Sequence, residues 1–462
     1  MSKPFVPRQL QREIIEHALE VPRAGVWAGC GTGKTSAALS VVDIANLAGA
    51  VTQPTLVLGP LRVARDGWTD EAAKWDHTSS MGVVPMLGDK AARRAALARV
   101  LRGNDAVATV NYENIPWLME TLNGHWPFGM VIADESTKLK GFRLRGGGER
   151  AKMLGKVAHL APRWINLTGT PSPNGLTDLW GQTWFLDKGQ RLGRTYDAFK
   201  QRWFTKGYDG FSIDPLPYAQ EQIEEALRDI CLTIHARDYF DIREPIVNVI
   251  QVDLPPKARA LYRDMEKKMW AEIAGKEVEA VNAAAKTGKC LQLAGGAIYT
   301  DDQRAWSEVH HAKVDALESI VEEAAGAPVL IAYNFRHELE RLQRAFPHGL
   351  DLSTTEGLRK AKAGKGRAWF AHPASLGHGV DGLQEHCNTI VFFGSDWNLE
   401  THDQILERIG PTRQAQAGLN REVFVHYILA ADTVDEIVYD RRSNKRSVQD
   451  ALLDAMKKRN LT

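Results

Sequence analysis

The sequence predicts an α/β fold with two parallel-sheet lobes in tandem and helical insertions between them. Short aliphatic or β-branched runs alternate with segments of helical period along most of the chain, which is typical of parallel strands joined by crossover helices. Glycine and proline follow several of these runs directly, for example at Gly59 and Pro60. Since ligands bind beyond the carboxyl ends of strands in open α/β sheets, we expect the chemistry in these loops.

The predicted strands fall into two groups. Those of the first lobe are Ala24–Trp27, Thr55–Leu58, Val107–Val110, Met130–Ala133 and Trp164–Leu167. Those of the second lobe are Val329–Tyr333, Arg367–Ala371, Thr389–Phe393 and Val423–Ile428. Between the groups, from about Thr177 to Trp306, the pattern is helix-rich with aromatic clusters and one strand-like run, Ile246–Leu254.

We place the boundary between the lobes near residue 245, which gives a first lobe over 1–245 and a second over 246–462. The first lobe is predicted to carry a helical extension from about residue 177. The second is predicted to carry a helical insertion up to about residue 312. Two C-terminal helices between Thr433 and Lys458 would pack back on the second lobe.

Composition limits the class of protein. With 462 residues, 44% of them hydrophobic and 25% charged, the chain has a globular composition and room for two or three domains. Its formal net charge of +1 provides no global basic field. A groove for nucleic acid would therefore depend on local clusters of Lys and Arg.

The sequence also predicts a cytoplasmic protein without a membrane partner. The N-terminus lacks an apolar signal core, and polar residues such as Asp43 and Asn46 interrupt the longest apolar stretches. The four cysteines are isolated, which fits a reducing compartment and shows no zinc spacing. His310, His311 and His378 lack a third ligand at a suitable spacing, so we expect no metal cluster there.

A glycine-rich segment over residues 27–35 is the most informative part of the chain. It lies between an apolar run and a helical pattern that begins at Ser36, and its glycines would let backbone N–H groups point at phosphate oxygens. Lys34 would bind the β- and γ-phosphates, and the Thr35 hydroxyl would ligate Mg²⁺. The alternative is a glycine-rich turn that caps a helix. The predicted cradle consists of Gly31, Thr32, Gly33, Lys34 and Thr35.

Two adjacent carboxylates end the predicted strand Met130–Ala133. Asp134 would hold Mg²⁺ through water, and Glu135 would polarise the attacking water as general base. A strand can end in Asp-Glu by chance, so the pair alone is a weak signal. It becomes a strong one because a phosphate loop precedes it in the same sheet pattern.

These motifs, in order along nearly the whole chain, resemble the Swi/Snf-type ATPases of helicase superfamily 2, particularly the short forms found in bacteriophages. The resemblance implies two RecA-like lobes that bind and hydrolyse ATP with Mg²⁺ at the cleft between them. It also implies that Gln11 reads adenine and that Thr168 and Thr170 couple hydrolysis to lobe movement. The matching segments of the first lobe are Pro7–Gln11, Leu58–Val63, Trp68–Trp75, Thr109–Glu113, Asp134–Lys140, Leu167–Asn174 and Asp178–Trp180.

The second lobe contributes two further matches, Ser375–Gly379 and Asp396–Arg408. The resemblance implies that Gly379 lies beside the nucleotide and that Arg408 is an arginine finger. Such an arginine stabilises charge on the departing γ-phosphoryl group and is worth on the order of 10³–10⁵ in rate. The nucleic-acid contacts implied by the resemblance are Pro60, Thr109, Tyr112 and Trp397.

The chain departs from the family pattern at three places. Thr137 stands where the family usually has histidine, so the link from the carboxylates to the coupling motif must differ. Pro411 occupies the usual position of a second arginine, and Arg413 is expected to supply that charge. Residues 380–382 extend the glycine motif.

Two basic segments, residues 138–156 and 358–367, are predicted to contact the phosphate backbone, one from each lobe. In the first segment the predicted contacts are Lys140, Arg143 and Arg145. The alternative for each residue is ordinary solvated surface charge. Most of the 13 tryptophans have aliphatic neighbours at helical or strand spacing, so core packing is the expected role for them.

The sequence therefore predicts a DNA-stimulated ATP hydrolase, a helicase-like translocase on duplex DNA, in phage replication, recombination or repair. If a phage encodes it, the site of action would be the cytoplasm of the bacterial host. One alternative is an RNA-dependent unwinding ATPase of the same superfamily. Another is an ATP-gated nucleic-acid clamp that does not translocate. Protein partners are not predicted.

Overall fold

The computed structural model describes residues 2–29, 31–206, 213–274, 280–301, 303–376, 380–396 and 398–442. The chain forms two compact units, whose described parts are residues 2–239 and 240–442. It passes from the first to the second between Tyr239 and Phe240, close to the boundary predicted near residue 245.

The first unit is built on a parallel sheet with the strand order β3-β4-β2-β5-β6-β1-β9. A small antiparallel hairpin, β7 and β8, lies outside it. The strands are β1 (Arg23–Ala28), β2 (Thr55–Gly59), β3 (Val83–Pro85), β4 (Val107–Asn111), β5 (Met130–Asp134), β6 (Arg163–Thr168), β7 (Phe204–Lys206), β8 (Ile213–Pro215) and β9 (Cys231–Ile234).

Helices connect the strands of the first unit. They are α1 (Gln9–Glu20), α2 (Lys34–Leu47), α3 (Trp68–Lys74), α4 (Lys90–Leu101), α5 (Ile115–Leu122), α6 (Glu149–Val157), α7 (Thr177–Asp187), α8 (Tyr196–Trp203) and α9 (Ala219–Leu227). Strands β2, β4 and β5 are buried along their whole length, as expected where helices cover both faces of a parallel sheet. These continuous apolar runs explain why the sequence predicts the strands so clearly.

The second unit is built on a parallel sheet with the order β10-β17-β16-β13-β15-β14, and β11 pairs with β12 in a separate hairpin. Its strands are β10 (Ile246–Val252), β11 (Ala297–Tyr299), β12 (Trp306–Glu308), β13 (Val329–Ala332), β14 (Leu350–Asp351), β15 (Ala368–Ala371), β16 (Thr389–Phe392) and β17 (Phe424–Ala430). Its helices are α10 (Pro256–Ala274), α11 (Ala280–Gly295), α12 (Ala312–Glu323), α13 (Arg336–Ala345), α14 (Thr355–Lys362), α15 (Pro373–Leu376), α16 (Leu399–Ile409) and α17 (Pro411–Gln416).

The predicted fold class, two tandem parallel-sheet lobes, is confirmed, and each predicted strand has a counterpart within a few residues. Seven further strands of the described residues were not predicted, because runs of two to four residues carry no readable period: β3, β7, β8, β9, β11, β12 and β14. Of the predicted C-terminal helices, residues 434–442 are helical, and residues 443–458 lie outside the described part. In the described residues, no helix is both long enough and apolar enough to cross a bilayer.

Candidate functional site

Three neighbouring strands of the first unit end at the candidate site. Strand β6 pairs on one side with β5 and on the other with β1, and all three run parallel. The register places Asp134 beside Leu167, and Thr168 beside Trp27. The acid pair, the Thr168 loop and the phosphate loop therefore emerge at the same edge of the sheet, which is the edge where parallel sheets bind ligands.

The phosphate loop has the backbone that its glycines predict. Gly31 and Gly33 take left-handed φ angles of 78° and 81°, which a residue with a Cβ atom adopts only with strain. Gly33 is the N-cap of α2 and has no side chain to cap it. The first N–H groups of a helix have no partner inside the helix, so the start of α2 presents donors to an anion. A Cβ atom at Gly29 would meet nothing within 4 Å, so the loop is open there.

Lys34 folds back over this loop. Its Nζ atom donates to the carbonyl of Ala28 and, at 3.2 Å, to that of Gly29. Thr32 is buried and its hydroxyl donates to the same Gly29 carbonyl at 2.8 Å. The ammonium therefore lies on the loop, within side-chain reach of any phosphate bound by it. Thr35 follows at the first turn of α2 and is half-buried.

Gln11 is brought to the phosphate loop from α1. Its Nε2 atom donates to Ser36 Oγ at 2.8 Å, and its Oε1 atom accepts from the backbone N–H of Arg8 at 2.9 Å. It lies so close to Gly33 that a Cβ atom there would collide with its amide. The structure thus joins the predicted adenine-reading segment to the loop, a contact between residues that are 25 positions apart.

The acid pair is held by a tryptophan that the sequence analysis did not connect with it. Trp68 is fully buried, and its indole Nε1 donates to Asp134 Oδ2 at 3.0 Å. The backbone N–H of Glu135 donates to Asp134 Oδ1 at 3.1 Å. Glu135 takes a left-handed φ of 53°, a strained conformation for a residue with a side chain and one that clusters at functional sites.

Asp134 and Thr35 supply the kind of ligands that Mg²⁺ prefers, a carboxylate and a hydroxyl oxygen. Magnesium usually takes one or two protein ligands and completes its shell with water and substrate phosphates. These two residues follow strands β5 and β1 at the same sheet edge, so they fit a magnesium ion that is bound together with phosphates. Within the described ranges, no group of three or more His, Cys, Asp or Glu side chains could hold a metal ion by itself.

The predicted coupling residues lie at the end of β6. Thr168 is fully buried, and its hydroxyl oxygen accepts from the backbone N–H of Thr170 at 3.1 Å. This bond turns the chain sharply after the strand. Thr170 itself is half-buried.

The second unit carries the predicted arginines. Arg408, in α16, is buried, and its Nη1 atom donates to the carbonyl of Val380 at 3.0 Å. Arg413, in α17, forms an ion pair with Asp381, in which Nη1 lies 3.6 Å from Oδ1. Both arginines therefore contact residues 380–381, the extended part of the glycine motif. Gly379 and Trp397, which were predicted to contact nucleotide and nucleic acid, lie outside the described residues.

The predicted nucleic-acid contacts of the first unit separate into buried and exposed residues. Thr109 is fully buried and its hydroxyl donates to the Ala64 carbonyl. Tyr112 is buried too, and its OH donates to the backbone carbonyl of Asp134 at 2.9 Å. These two side chains therefore pack inside the unit, where Tyr112 supports the acid pair. Pro60, at the end of β2, is half-buried.

The basic residues after the acid pair are not equivalent. Lys140 forms an ion pair with Asp178, in which Nζ lies 3.5 Å from Oδ2. The guanidinium of Arg143 packs 3.3 Å from the centre of the Tyr196 ring and donates to the Lys140 and Phe142 carbonyls. Arg145 is exposed. Of the three, Arg145 is therefore the best placed to meet a phosphate backbone.

Residues 28–293 match the SNF2-related domain. Protein p41 of Acyrthosiphon pisum secondary endosymbiont phage 1 is 54% identical over 463 residues, which cover 99% of this chain and 100% of that protein. The ISWI chromatin-remodeling complex ATPase ISW1 of Saccharomyces cerevisiae is 24% identical over 91% of the chain, and the chain spans 38% of its length.

Among solved structures, the chain is similar to the Sulfolobus solfataricus SWI2/SNF2 ATPase core in complex with dsDNA. It is 18% identical, with a TM-score of 0.44, and the match covers 98% of this chain and 94% of that one.

Proposed function

The chain belongs to the SNF2-related family, as the sequence motifs predicted, and on this premise we propose that it is an ATP-driven motor that acts on duplex DNA. One observation carries the proposal. The phosphate loop, the acid pair and the Thr168 loop emerge from three adjacent parallel strands, so a triphosphate on the loop would have carboxylates and a coupling segment beside it.

The chemistry proposed for the first unit is ATP hydrolysis. Lys34 would leave the Ala28 and Gly29 carbonyls and bind the β- and γ-phosphates, while the N-terminus of α2 donates N–H groups to the same oxygens. Thr35 and Asp134 would hold Mg²⁺, which neutralises phosphate charge when it is bound. Glu135 would accept a proton from the attacking water. Gln11 would recognise the adenine.

The second unit is proposed to supply the arginine that stabilises the transition state. Arg408 would contribute its guanidinium to the departing γ-phosphoryl group, and Arg413 would add a second positive charge. Since both arginines are held by residues 380–381, a shift of that segment would move them together.

We propose duplex DNA as the polymer because the chain is similar to a chromatin-remodeling ATPase and exposes Arg145 in the basic segment that follows the acid pair in the chain. Affinity would then come from phosphate contacts and would carry little base specificity. Because a relative that is 54% identical over its whole length comes from a phage, we propose that the motor acts for a phage, in DNA replication, recombination or repair in the cytoplasm of the host.

Steady-state ATP hydrolysis with duplex DNA, single-stranded DNA and RNA would test the proposal. We expect duplex DNA to give the largest stimulation. If RNA stimulates hydrolysis and duplex DNA does not, the protein is an RNA-dependent ATPase instead.

Displacement of the third strand from a DNA triplex tests movement separately. A translocating motor displaces this strand in an ATP-dependent manner. An ATP-gated clamp would hydrolyse ATP and bind duplex DNA and yet leave the triplex intact.

A further inference from the structure

Helix α7 lies directly against the turn that follows the acid pair. Gly181 approaches the carbonyl of Lys140 so closely that a Cβ atom there would collide with it, so this contact requires glycine. The next residue, Gln182, is only 1% exposed. The close approach of the helix thus puts a buried amide beside the backbone that continues from Asp134 and Glu135.

The side chain of Gln182 connects two loops of the candidate site. Ser136, which is fully buried, donates from its hydroxyl to Gln182 Oε1 at 2.9 Å. Gln182 Nε2 donates to the carbonyl of Pro171 at 2.5 Å. One amide therefore contacts both the residue after Glu135 and the loop that contains Thr168 and Thr170.

The backbone of Gln182 is anchored to β6 as well. Its carbonyl accepts from Asn166 Nδ2 at 2.8 Å, and Asn166 Oδ1 accepts from the indole of Trp164 at 2.8 Å. All of these groups are buried. Removing one partner would leave a buried polar atom unsatisfied, which is costly, so the contacts hold the two loops in a defined arrangement.

A second, more exposed bridge runs through the same helix one turn earlier. Asp178 Oδ2 accepts from the backbone N–H and the side-chain amide of Asn174, at 2.9 and 3.0 Å, and pairs with Lys140 at 3.5 Å. Helix α7 therefore joins the turn after the acid pair to the 168–174 loop twice, through Gln182 and through Asp178.

We propose that Gln182 is a positioning residue that makes the acid pair and the 168–174 loop respond together to the nucleotide. The proposal rests on the proposed ATPase function. Energetic coupling between sites is carried by packed side chains and hydrogen-bond networks, and the Ser136–Gln182–Pro171 contacts form such a network across two loops. This link depends on the side chain of Gln182 in α7.

Amide hydrogen exchange with a non-hydrolysable ATP analogue and Mg²⁺ tests this link directly. In the wild type, we expect the analogue to slow exchange in both segments, 134–140 and 168–174. Gln182→Leu keeps a helix-forming side chain of similar length and removes both amide bonds to the two loops, together with a third bond to the Asp178 carbonyl of the same helix. In this variant we expect protection of 134–140 to persist while protection of 168–174 is lost.

Thr183→Val is the matched control. Thr183 is the next residue of α7, is also buried, and donates its hydroxyl to the Leu179 carbonyl of the same helix at 2.8 Å. It should lower the thermal stability less than Gln182→Leu, because it removes a bond within one helix, and it should leave both segments protected. If Gln182→Leu behaves like Thr183→Val, the positioning role is wrong.

A double-mutant cycle adds a kinetic test. Ser136→Ala and Gln182→Leu should each lower DNA-stimulated turnover by roughly two- to thirty-fold, with the analogue affinity almost unchanged. The double variant should be no slower than the slower single variant, because both changes break one network. If the losses of turnover in the two single variants multiply in the double variant, Ser136 and Gln182 do not act in one network and the proposal is wrong.

The outcomes also separate this proposal from the proposed function. A wild type that binds the analogue but protects only one segment would refute the role of Gln182 and leave the ATPase intact. A wild type that neither binds nor hydrolyses ATP would refute both.

Discussion

The phosphate loop of the first unit and the arginine helices of the second hold their charged groups in different ways. Lys34 rests on the carbonyls of Ala28, the last residue of β1, and of Gly29, and an incoming phosphate can replace these two contacts. Arg408 is buried and bonded to Val380, and Arg413 is paired with Asp381. The lysine is therefore ready for ligand, whereas the arginines move only with the segment that holds them. We infer that the first unit determines the affinity for the nucleotide and that the second determines the rate of hydrolysis.

Lys34→Ala should cause the largest loss of ATP binding and turnover. A smaller loss would contradict the contrast drawn between the lysine and the arginines. The ammonium is proposed to bind the phosphates in the ground state and in the transition state, so both nucleotide affinity and turnover should fall. We expect a loss of kcat/KM greater than that caused by any other substitution considered below. Steady-state hydrolysis and binding of a fluorescent ATP analogue measure the two contributions.

Arg408→Ala should collapse hydrolysis by about 10³-fold or more while the affinity for ATP stays within a few-fold. The reason is that an arginine finger acts mainly on charge that develops in the transition state. Because Arg408 is buried, Arg408→Lys serves as a second variant that retains a positive charge. Arg413→Ala, at a less buried ion pair, should cause a smaller loss of turnover.

An equal fall in binding and turnover for Arg408→Ala, with a normal melting temperature, would place Arg408 in ground-state binding. The inference that the second unit sets the rate would then be wrong.

Within the first unit, Arg145 and Arg143 allow an exposed arginine to be compared with one that is packed on an aromatic ring. Arg145→Ala should weaken duplex DNA binding uniformly across sequences and reduce the slope of log affinity against log salt by about 1. Arg143→Ala removes a packed guanidinium from Tyr196 and should lower the melting temperature instead. Fluorescence titrations at several salt concentrations, together with thermal melts, distinguish the two. A steeper loss of DNA affinity in Arg143→Ala would reverse their assignment.

Acid should destabilise the second unit more than the first, and this is the smallest effect we expect. Burial, together with the positive charge of the nearby Arg341, lowers the pKa of His310 and of His337 from the usual 6.5 to about 4. The unfolded chain then binds more protons than the folded one between these values. The stability of the folded second unit is therefore not reduced by these two histidines above pH 6.5, and it falls as the pH drops from 6.5 towards 4.

Two opposing contributions enter this prediction. Burial raises the pKa of Glu338 in the same region, which favours the folded state at low pH, and burial lowers the pKa of His17 in the first unit. The melting temperature of the wild type should therefore fall between neutral and acidic pH. His337→Phe should reduce this fall by a few degrees more than His17→Gln does. Thermal melts at both pH values check this, and equal effects of the two variants would contradict it.

Sequence reasoning located the parts of the site that are contiguous in the chain. The glycine-rich segment over 27–35 and the adjacent Asp134 and Glu135 were predicted because each motif accompanies an apolar run that is long enough to identify a strand. It could not predict that Thr109 and Tyr112 turn inward, since buried and exposed polar residues at the end of a strand have the same pattern. Their assignment to nucleic acid came from the resemblance and is one that the geometry does not favour.

The sequence by itself determined the fold class, the phosphate loop and the acid pair, because these follow from local backbone preferences and from the period of apolar residues. The tertiary structure decided which residues hold that site together. Trp68 reaches Asp134 across 66 positions, and Gln182 reaches Ser136 across 46. Such contacts depend on which strands become neighbours in the sheet and on how closely a helix can approach, and no local pattern along the chain records either.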